Sequence, residues 1–478
     1  SAYVHGAPTD SPSTVLTTAS FTNTLLGLYL LVCRGMGAAT VSSGPCENTA
    51  TSRVCWGEYS IDTDWLEITP STGNTREYWL TAEETIMAPD GYQRLVMVFN
   101  GSIPGPTIEA DWGGTISFLQ LAEGLFGPIV IHGPATADYD VDVVPVVIMD
   151  WPHVTAWETW KTYQNRVALV QPVAVNGLIS GKNPYDCRGS HDLACVGGNQ
   201  TAGRFEVRFK KGLKYRFRII GAQSDGYMKF AIDGHQLTVI AADLVPLRPY
   251  KTDGVILASG QRYDVVVEAD QPIDNYWLRA IYQTACNDND NDNKDNILGI
   301  VRYDAGGGTD TEESSAKGDP TTVNWAITNR CGDEPAASLV PWVTHEVSDA
   351  GVRDNIGWTL HSKSLVANWS APTLLGLYNE KGSGSSSNAT ANFPPESNVV
   401  SLDAADQWVY WIIQDVGLVN AYHPLHLHGH DFYVLAQGRG AFVQGVIGLN
   451  TKNPPRRDTA TLYGNGYTVT AFKTDNPG

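Results

Sequence analysis

Four histidines within eight residues form the segment whose residue types and spacing best suit chemistry. The segment reads HPLHLHGH and contains His423, His426, His428 and His430. Imidazole nitrogens are favoured ligands of copper, zinc, iron and nickel. Because side chains at i and i+2 of a strand share a face, a strand here would place His426, His428 and His430 on one side. Pro424 fixes the backbone after His423, which can then point elsewhere. The cluster therefore predicts a metal site.

Apolar runs flank the cluster, WVYWII at 408–413 and FYVLA at 432–436, so the histidines lie between two expected strands. The alternative is a hydrogen-bonded set of core and rim histidines, and for His430 alone we favour it. The remaining histidines are isolated in the sequence, and we interpret each as structural or surface-exposed: His5, His132, His153, His191, His235, His345 and His361.

Short strand-like runs dominate the rest of the chain, and helical periodicity is scarce. Alternating or wholly apolar runs, bounded by Gly, Pro, Asn and Asp, occur at 143–151, 205–220, 235–244 and 263–269. Phe205, Val207 and Phe209 alternate with charged residues, and Lys211-Gly212 then suggests a turn. This pattern is typical of antiparallel β-sandwiches.

Length and charge limit the possible classes of protein. The chain has 478 residues, which suggests two to four domains. Its formal net charge is −19, which argues against a nucleic-acid partner and suits a secreted protein. Breaks in composition at 306–320 and 381–396 suggest linkers. The apolar run at 25–33 is too short to span a membrane and resembles a signal peptide, so we interpret residues 1–44 as a leader or disordered.

The seven cysteines suggest an oxidising compartment. The spacing pairs Cys46 with Cys55, Cys187 with Cys195, and Cys286 with Cys331, and leaves Cys33 over. A zinc site is the alternative, although no CxxC occurs. Asn-x-Ser/Thr sequons also suit a secreted glycoprotein and lie at Asn100, Asn199, Asn368 and Asn388.

An Asp/Asn-rich run at 287–296 has calcium-loop spacing at Asp288, Asp290 and Asp292. However, Asn293 stands where such a loop requires glycine, and Gly299 stands where it requires glutamate. We therefore expect a solvated loop at this position.

The histidine segment with its flank, HPLHLHGHDFYVL at 423–435, resembles the third copper motif of the multicopper oxidases. Other segments resemble the same family: 99–113, 124–140, 233–247, 260–272, 275–280, 453–462 and 472–478. The early Cys46–Cys55 loop followed by Trp56 is similar to the ascomycete laccase branch. The resemblance covers roughly residues 46–478.

The resemblance implies an all-β fold of tandem cupredoxin-like Greek-key β-sandwich domains. In that family a mononuclear blue copper takes single electrons from phenols or aromatic amines, and a trinuclear copper cluster reduces O2 to water. By motif position, His423 corresponds to a blue-copper ligand, and His426 and His428 to trinuclear-cluster ligands. The intact family binds four coppers per chain. For this chain, the resemblance also implies a secreted monomer with neither a nucleic-acid nor a membrane partner.

The resemblance also suggests domain boundaries. We expect a first cupredoxin-like domain at 45–160, a second at 161–305, a linker at 306–340 and a third domain at 341–478. The first and third domains are expected to be incomplete.

This expectation of incompleteness comes from departures from the family pattern. The family's HWHG and HSH motifs are absent, and ADWGGTIS at 110–117 runs directly into FLQLAEGLFGP at 118–128, as an internal deletion would produce. The family's HCH motif is absent after DNPG at 475–478. We therefore expect this chain to bind fewer coppers, to be inactive and to be poorly stable.

Three alternatives remain open from sequence. The first is a non-catalytic secreted cupredoxin-like protein that binds at most one copper. The second is a ferroxidase or pigment-forming multicopper oxidase, and the third an unrelated secreted β-sandwich that binds carbohydrate. Glu206 is a candidate for the acid of a phenol pocket by rough position only, and a structural surface role is favoured.

Overall fold

The computed structural model describes residues 27–32, 47–68, 70, 76–112, 123–164, 174–187, 192–196, 202–286, 290–304, 318–323, 329–348, 352–357, 402, 405–415 and 420–475. The chain divides into two compact units, Ser1–Thr344 and His345–Gly478, and each is described by itself. The domain boundaries inferred from sequence stay a prediction. Among the described residues, no helix is long and apolar enough to cross a membrane.

The N-terminal part of the first unit contains three small sheets within the described residues. One has the strand order β1-β4-β5, the second pairs β2 with β3, and the third pairs β6 with β7 in parallel. The strands are β1 (Gly27–Val32), β2 (Cys55–Trp56), β3 (Tyr59–Ser60), β4 (Glu77–Met87), β5 (Arg94–Phe99), β6 (Ile108–Asp111) and β7 (Ile129–His132). Strand β1 lies inside the stretch that the sequence suggested as a leader, an interpretation that stays a prediction.

A sandwich of two larger sheets follows in the described part of this unit. The first sheet has the order β10-β9-β12-β17-β14-β15, with β8 paired to β12, and the second has the order β11-β19-β18-β13-β16. The elements are β8 (Val141–Asp142), β9 (Val146–Trp151), α1 (Ala156–Gln164), β10 (Asn176–Ile179), β11 (Glu206–Lys210), β12 (Lys214–Gly221), β13 (Met228–Ile232), β14 (Leu237–Ala242), β15 (Val245–Thr252), β16 (Val255–Leu257), β17 (Arg262–Glu268), β18 (Asn275–Tyr282) and β19 (Leu298–Asp304). The all-β prediction is confirmed.

The core lies between these two sheets, because alternate side chains of each strand point inward. Phe209 and Phe217 are fully buried there, and each such burial contributes roughly 1.5–3 kcal/mol. The alternation predicted for 205–210 is confirmed, since Glu206 and Lys210 are exposed. The predicted turn at Lys211-Gly212 carries the chain from β11 in one sheet to β12 in the other. Leu339 also packs in this core, so residues near 340 fold with the first unit.

The second unit is built around one larger sheet, which within the described residues has the order β20-β21-β26-β23-β24. Strands β22 and β25 form a separate pair. The strands are β20 (Val352–Gly357), β21 (Trp408–Gln414), β22 (His423–His426), β23 (Phe432–Arg439), β24 (Arg456–Arg457), β25 (Thr459–Leu462) and β26 (Gly466–Lys473). Tyr410, Tyr433 and Val469 are buried on the large sheet. The predicted linker at 381–396 lies outside the described residues.

Two of the predicted disulfides are present, Cys187–Cys195 and Cys286–Cys331. Cys55 is also disulfide-bonded, whereas Cys33 and Cys46 lie outside the described residues. Of the sequon asparagines, Asn100 is exposed, and the others lie outside the described residues.

The Asp/Asn-rich run is only partly the solvated loop that the sequence suggested. Asn291 is buried, and its side-chain amide donates a hydrogen bond to the backbone carbonyl of Asn176. Asn293 donates to the side-chain oxygen of the same residue, at 2.7 Å. The expectation was wrong for these two residues, because pairing with Asn176 compensates for their loss of water. Residues 287–289 lie outside the described residues.

The hairpin between β14 and β15 holds a residue in an unfavourable conformation. Asp243 and Leu244 have φ of 48° and 70°, and the Leu244 side chain is 54% exposed. A left-handed conformation costs a leucine roughly 1–2 kcal/mol, and glycine avoids this cost. We expect Leu244→Gly to raise the free energy of unfolding by about 1 kcal/mol, measured by urea denaturation. Leu66→Gly, at an exposed leucine without a positive φ, is the matched control and is expected not to stabilise. A destabilised Leu244→Gly protein would contradict the strain argument.

Candidate metal site

The histidine segment begins on β22, which pairs antiparallel with β25. The register places His423 opposite Leu462 and His426 opposite Thr459. Strand β22 ends at His426, and Gly429, with φ of 81°, lies in the turn that leads to β23. The expectation that one strand aligns His426, His428 and His430 is therefore wrong, because the chain reverses before His430.

The turn nevertheless brings His426 and His428 together. Their ring centroids are 4.9 Å apart, the rings are tilted by 60°, and both residues are exposed. His426 Nδ1 donates a hydrogen bond to the backbone carbonyl of Asp458, at 2.8 Å. Because a carbonyl only accepts, the proton of neutral His426 is on Nδ1 and the lone pair is on Nε2. This arrangement is common among metal-binding histidines.

The other two histidines of the segment lie in different surroundings. His423 is half-buried, and burial lowers its pKa, with Asp415 acting in the opposite direction. His430 Nδ1 lies 3.6 Å from Asp475 Oδ1, and its ring lies 5.0 Å from that of Phe472. Burial also lowers the pKa of His430, against the effect of Asp475. Both imidazoles are thereby held toward the neutral form.

The isolated histidines of the first unit have separate interactions. His132 stacks on Trp56, and His153 Nε2 lies 2.8 Å from the buried Asp90 carboxylate. His235 is buried in the sandwich core. In the second unit, His345 lies 3.2 Å from an Arg456 nitrogen. His5, His191 and His361 lie outside the described residues.

His235 supplies a test of how burial affects stability. Burial is the main cause of its lowered pKa. The unfolded chain takes up this proton near the ordinary value of about 6.5, and the folded chain only at lower pH. The lowered pKa of His235 therefore gives the folded state a stabilisation that is fully present above about pH 6.5. This stabilisation is lost as the pH falls toward the pKa of His235 in the folded chain. We expect the free energy of unfolding to fall less steeply between pH 7 and pH 5 in His235→Gln than in the wild type, by urea denaturation. Identical slopes would show that His235 does not contribute.

Glu206 forms an ion pair on the sheet surface. Both of its carboxylate oxygens accept hydrogen bonds from Arg302, at 2.6 and 2.8 Å. The hydrogen bond from Arg302 is the main cause of the lowered pKa of Glu206. This pairing supports the structural surface role over a role in a phenol pocket.

The residues that the structure describes do not bring together a complete copper site. A blue copper needs a cysteine thiolate, and each cysteine in the described residues is disulfide-bonded. In the part of the chain that the structure describes, no group of three or more His, Cys, Asp or Glu side chains is placed to hold a metal ion. Within the histidine segment, the structure brings together the pair His426 and His428.

Comparison with known proteins agrees with this fold and histidine segment. Models of the multicopper oxidase family match residues 142–306 and 367–478. The chain is 40% identical to laccase-2 of Botryotinia fuckeliana, over 91% of this chain and 84% of that protein. It is 39% identical to oxidoreductase OpS5 of Beauveria bassiana, over 92% and 84% respectively. The crystal structure of a laccase from Botrytis aclada superposes with a TM-score of 0.79, at 38% identity, covering 91% of this chain and 89% of that one.

The chain therefore belongs to the multicopper oxidase family, whose members are oxidoreductases with copper as cofactor. Within that family it is of the ascomycete laccase type. The alignment with laccase-2 extends over 513 positions, more than the 478 residues of this chain, so the relative has residues without a counterpart here.

Proposed function

We propose that this chain derives from a laccase that takes single electrons from phenols or aromatic amines and reduces O2 to water, and that residues 1–478 by themselves do not catalyse this reaction. One observation carries the second part: residues 332–478 contain no cysteine, so His423, His426 and His428 have no thiolate ligand within this segment. The missing counterparts in the laccase-2 alignment support an internal deletion. Its place near residues 117 and 118 is inferred from the sequence, where ADWGGTIS runs directly into FLQLAEGLFGP.

The metal ligands of the proposal are His423, His426 and His428. His426 and His428 would contribute to the trinuclear cluster, and their adjacent rings support this assignment. His423 would contribute to the blue copper, which lacks its cysteine and its second histidine in this sequence. A partial ligand set holds metal weakly, because copper sites depend on the full set and its supporting hydrogen bonds. The incomplete set supports at most one bound copper per chain.

A non-catalytic, copper-binding cupredoxin-like protein is the second candidate function. The defined tautomer of His426 favours it, because Nε2 is available to a metal although a complete site is missing. Secretion is part of both proposals and is supported by the disulfides of the first unit. We expect the chain to be monomeric, with no nucleic-acid or membrane partner.

Copper titration tests the assignment of the ligands. We expect the 478-residue chain to bind at most one Cu(II), measured by isothermal calorimetry and by the metal content after dialysis. His426→Ala and His428→Ala should each weaken binding by at least about 10-fold, because even outer-shell partners of a metal contribute this much. His430→Ala, next to the pair but oriented toward Asp475, is the matched control and should bind as the wild type does. Equal affinities in the wild type and both pair variants would disprove the assignment.

A further inference from the structure

A short hydrogen bond joins a buried tyrosine to a buried histidine in the core of the first unit. The hydroxyl oxygen of Tyr303 lies 2.7 Å from His235 Nε2. His235 Nδ1 lies 2.8 Å from the backbone carbonyl of Asp233, which only accepts, so neutral His235 carries its proton on Nδ1. Nε2 is therefore the acceptor, and Tyr303 donates its phenolic proton to it. The backbone N–H of Gln271 donates to the same hydroxyl oxygen, at 3.3 Å.

The pair is shielded from water by other aromatic rings. Tyr303 is 0% exposed and His235 is 1% exposed. The ring of Phe209 lies 5.6 Å from that of Tyr303, and the ring of Tyr276 lies 5.0 Å from that of His235. The carboxylate of Asp233 is paired with Arg279 through two hydrogen bonds. Burial lowers the pKa of His235, so its Nε2 is unprotonated at rest.

We propose that Tyr303 and His235 form a redox-active pair, in which the loss of one electron from Tyr303 is coupled to transfer of its phenolic proton to His235 Nε2. The O–H bond of Tyr303 breaks, an N–H bond forms on His235, and a neutral tyrosyl radical and an imidazolium remain. The electron passes to a one-electron oxidant such as a phenoxyl radical, which takes a proton from solvent and becomes a phenol. The distance of 2.7 Å lies within the range for direct proton transfer.

The hydrogen-bond acceptor of the phenol distinguishes Tyr303 from other tyrosines of the first unit. Tyr78 and Tyr276 donate to backbone carbonyls, of Glu109 and Pro272 respectively, which do not take up a proton near neutral pH. Tyr92 donates to the Asp192 carboxylate. The backbone N–H of Ala194, and then Tyr92, hold the pKa of that carboxylate below its ordinary value, so it is held in the ionised form. The acceptor of Tyr303 differs in kind, because it is an uncharged imidazole nitrogen that becomes an imidazolium when it takes up a proton.

Tyr276 gives the oxidant a short route to the pair. It is 7% exposed, and its ring lies 5.4 Å from that of Tyr303. An electron can leave through the Tyr276 ring without any opening of the core. The inference does not depend on the proposed function, because the oxidant is supplied from outside and no copper in this chain takes part.

Photochemical oxidation of the full 478-residue chain tests the pair. Photogenerated tris(bipyridine)ruthenium(III) is the oxidant, and freeze-quench electron paramagnetic resonance measures the tyrosyl radical that persists after exposed radicals have coupled. We expect Tyr303→Phe to reduce the persistent signal at least 10-fold. His235→Gln should do the same, because its amide oxygen accepts the hydrogen bond but takes no proton. Tyr215→Phe is the matched control, since Tyr215 is buried in the same cluster and stacks on Phe209, and it should leave the signal unchanged.

A measurement on the wild type covers the case in which a variant does not fold. Histidine labelled with 15N should produce a hyperfine coupling in the persistent radical, because its oxygen faces a protonated imidazole. A persistent signal that is unchanged in Tyr303→Phe, or that lacks a nitrogen coupling in the labelled wild type, would overturn the proposal.

Discussion

Residues 1–478, purified and supplied with copper, are expected to leave dissolved oxygen unchanged in the presence of a phenol. The reaction of the family needs a thiolate at the blue copper and histidines from several motifs at the trinuclear cluster. The sequence contains no cysteine after Cys331, and the described cysteines are held in disulfides. Loss of the electron entry site removes turnover altogether, because each electron reaches oxygen through it. The measurements are oxygen uptake and the thiolate-to-copper absorption band, and we expect neither.

Laccase-2 of Botryotinia fuckeliana, 40% identical to this chain, is the positive control in the same assay. Oxygen uptake by the 478-residue chain at a rate comparable to that of laccase-2 would refute the proposal. Peptide mass mapping of the protein from its natural source across 110–128 then tells whether the junction at 117 and 118 exists there. Extra sequence at this junction would assign the parent protein to the active laccases, with His423, His426 and His428 among its ligands.

Gly181→Ala is expected to destabilise the first unit by more than about 3 kcal/mol. Gly181 has φ of 78° and follows Ser180, at 46°, in the turn that joins Ile179 to Lys182. A Cβ atom on Gly181 would lie 1.8 Å from the backbone oxygen of Ile103. The left-handed conformation alone costs alanine roughly 1–2 kcal/mol, and relief of the clash requires movement of a packed backbone segment. Thermal and urea denaturation followed by circular dichroism measure the loss.

Gly212→Ala separates the two contributions to this loss. Gly212 also has a positive φ, 89°, but no atom lies within 4 Å of a Cβ built there. We expect this control to lose only the conformational part, roughly 1–2 kcal/mol. If Gly181→Ala and Gly212→Ala lower the free energy of unfolding equally, the close approach of Gly181 to Ile103 adds nothing to the loss.

The sequence pattern predicted much of the sandwich, because the residues that decide which face of a strand is buried lie close together in the chain. The alternation of Phe205, Val207 and Phe209 with charged residues reports which face of a strand meets the core. Short spacing likewise predicted Cys187–Cys195, because cysteines eight residues apart close a small loop. The prediction of a solvated loop for the Asp/Asn-rich run was partly wrong, because the residue that buries it lies far away in the chain. Its burial comes from Asn176, more than a hundred residues away, and composition does not report such a partner.

The sequence alone determined the family, the all-β class and the segment that holds the candidate copper ligands, because these rest on residue types and short spacings. The sequence also shows that residues 332–478 contain no cysteine, which needs no coordinates. Only the tertiary structure decided that His428 approaches His426 while His430 faces Asp475, because strand β22 ends at His426 and a turn at Gly429 follows it. It likewise decided that Tyr303 meets His235 across 68 residues of chain. Such contacts depend on how two sheets pack, which is the sum of many distant side-chain contacts and is not encoded in any one segment.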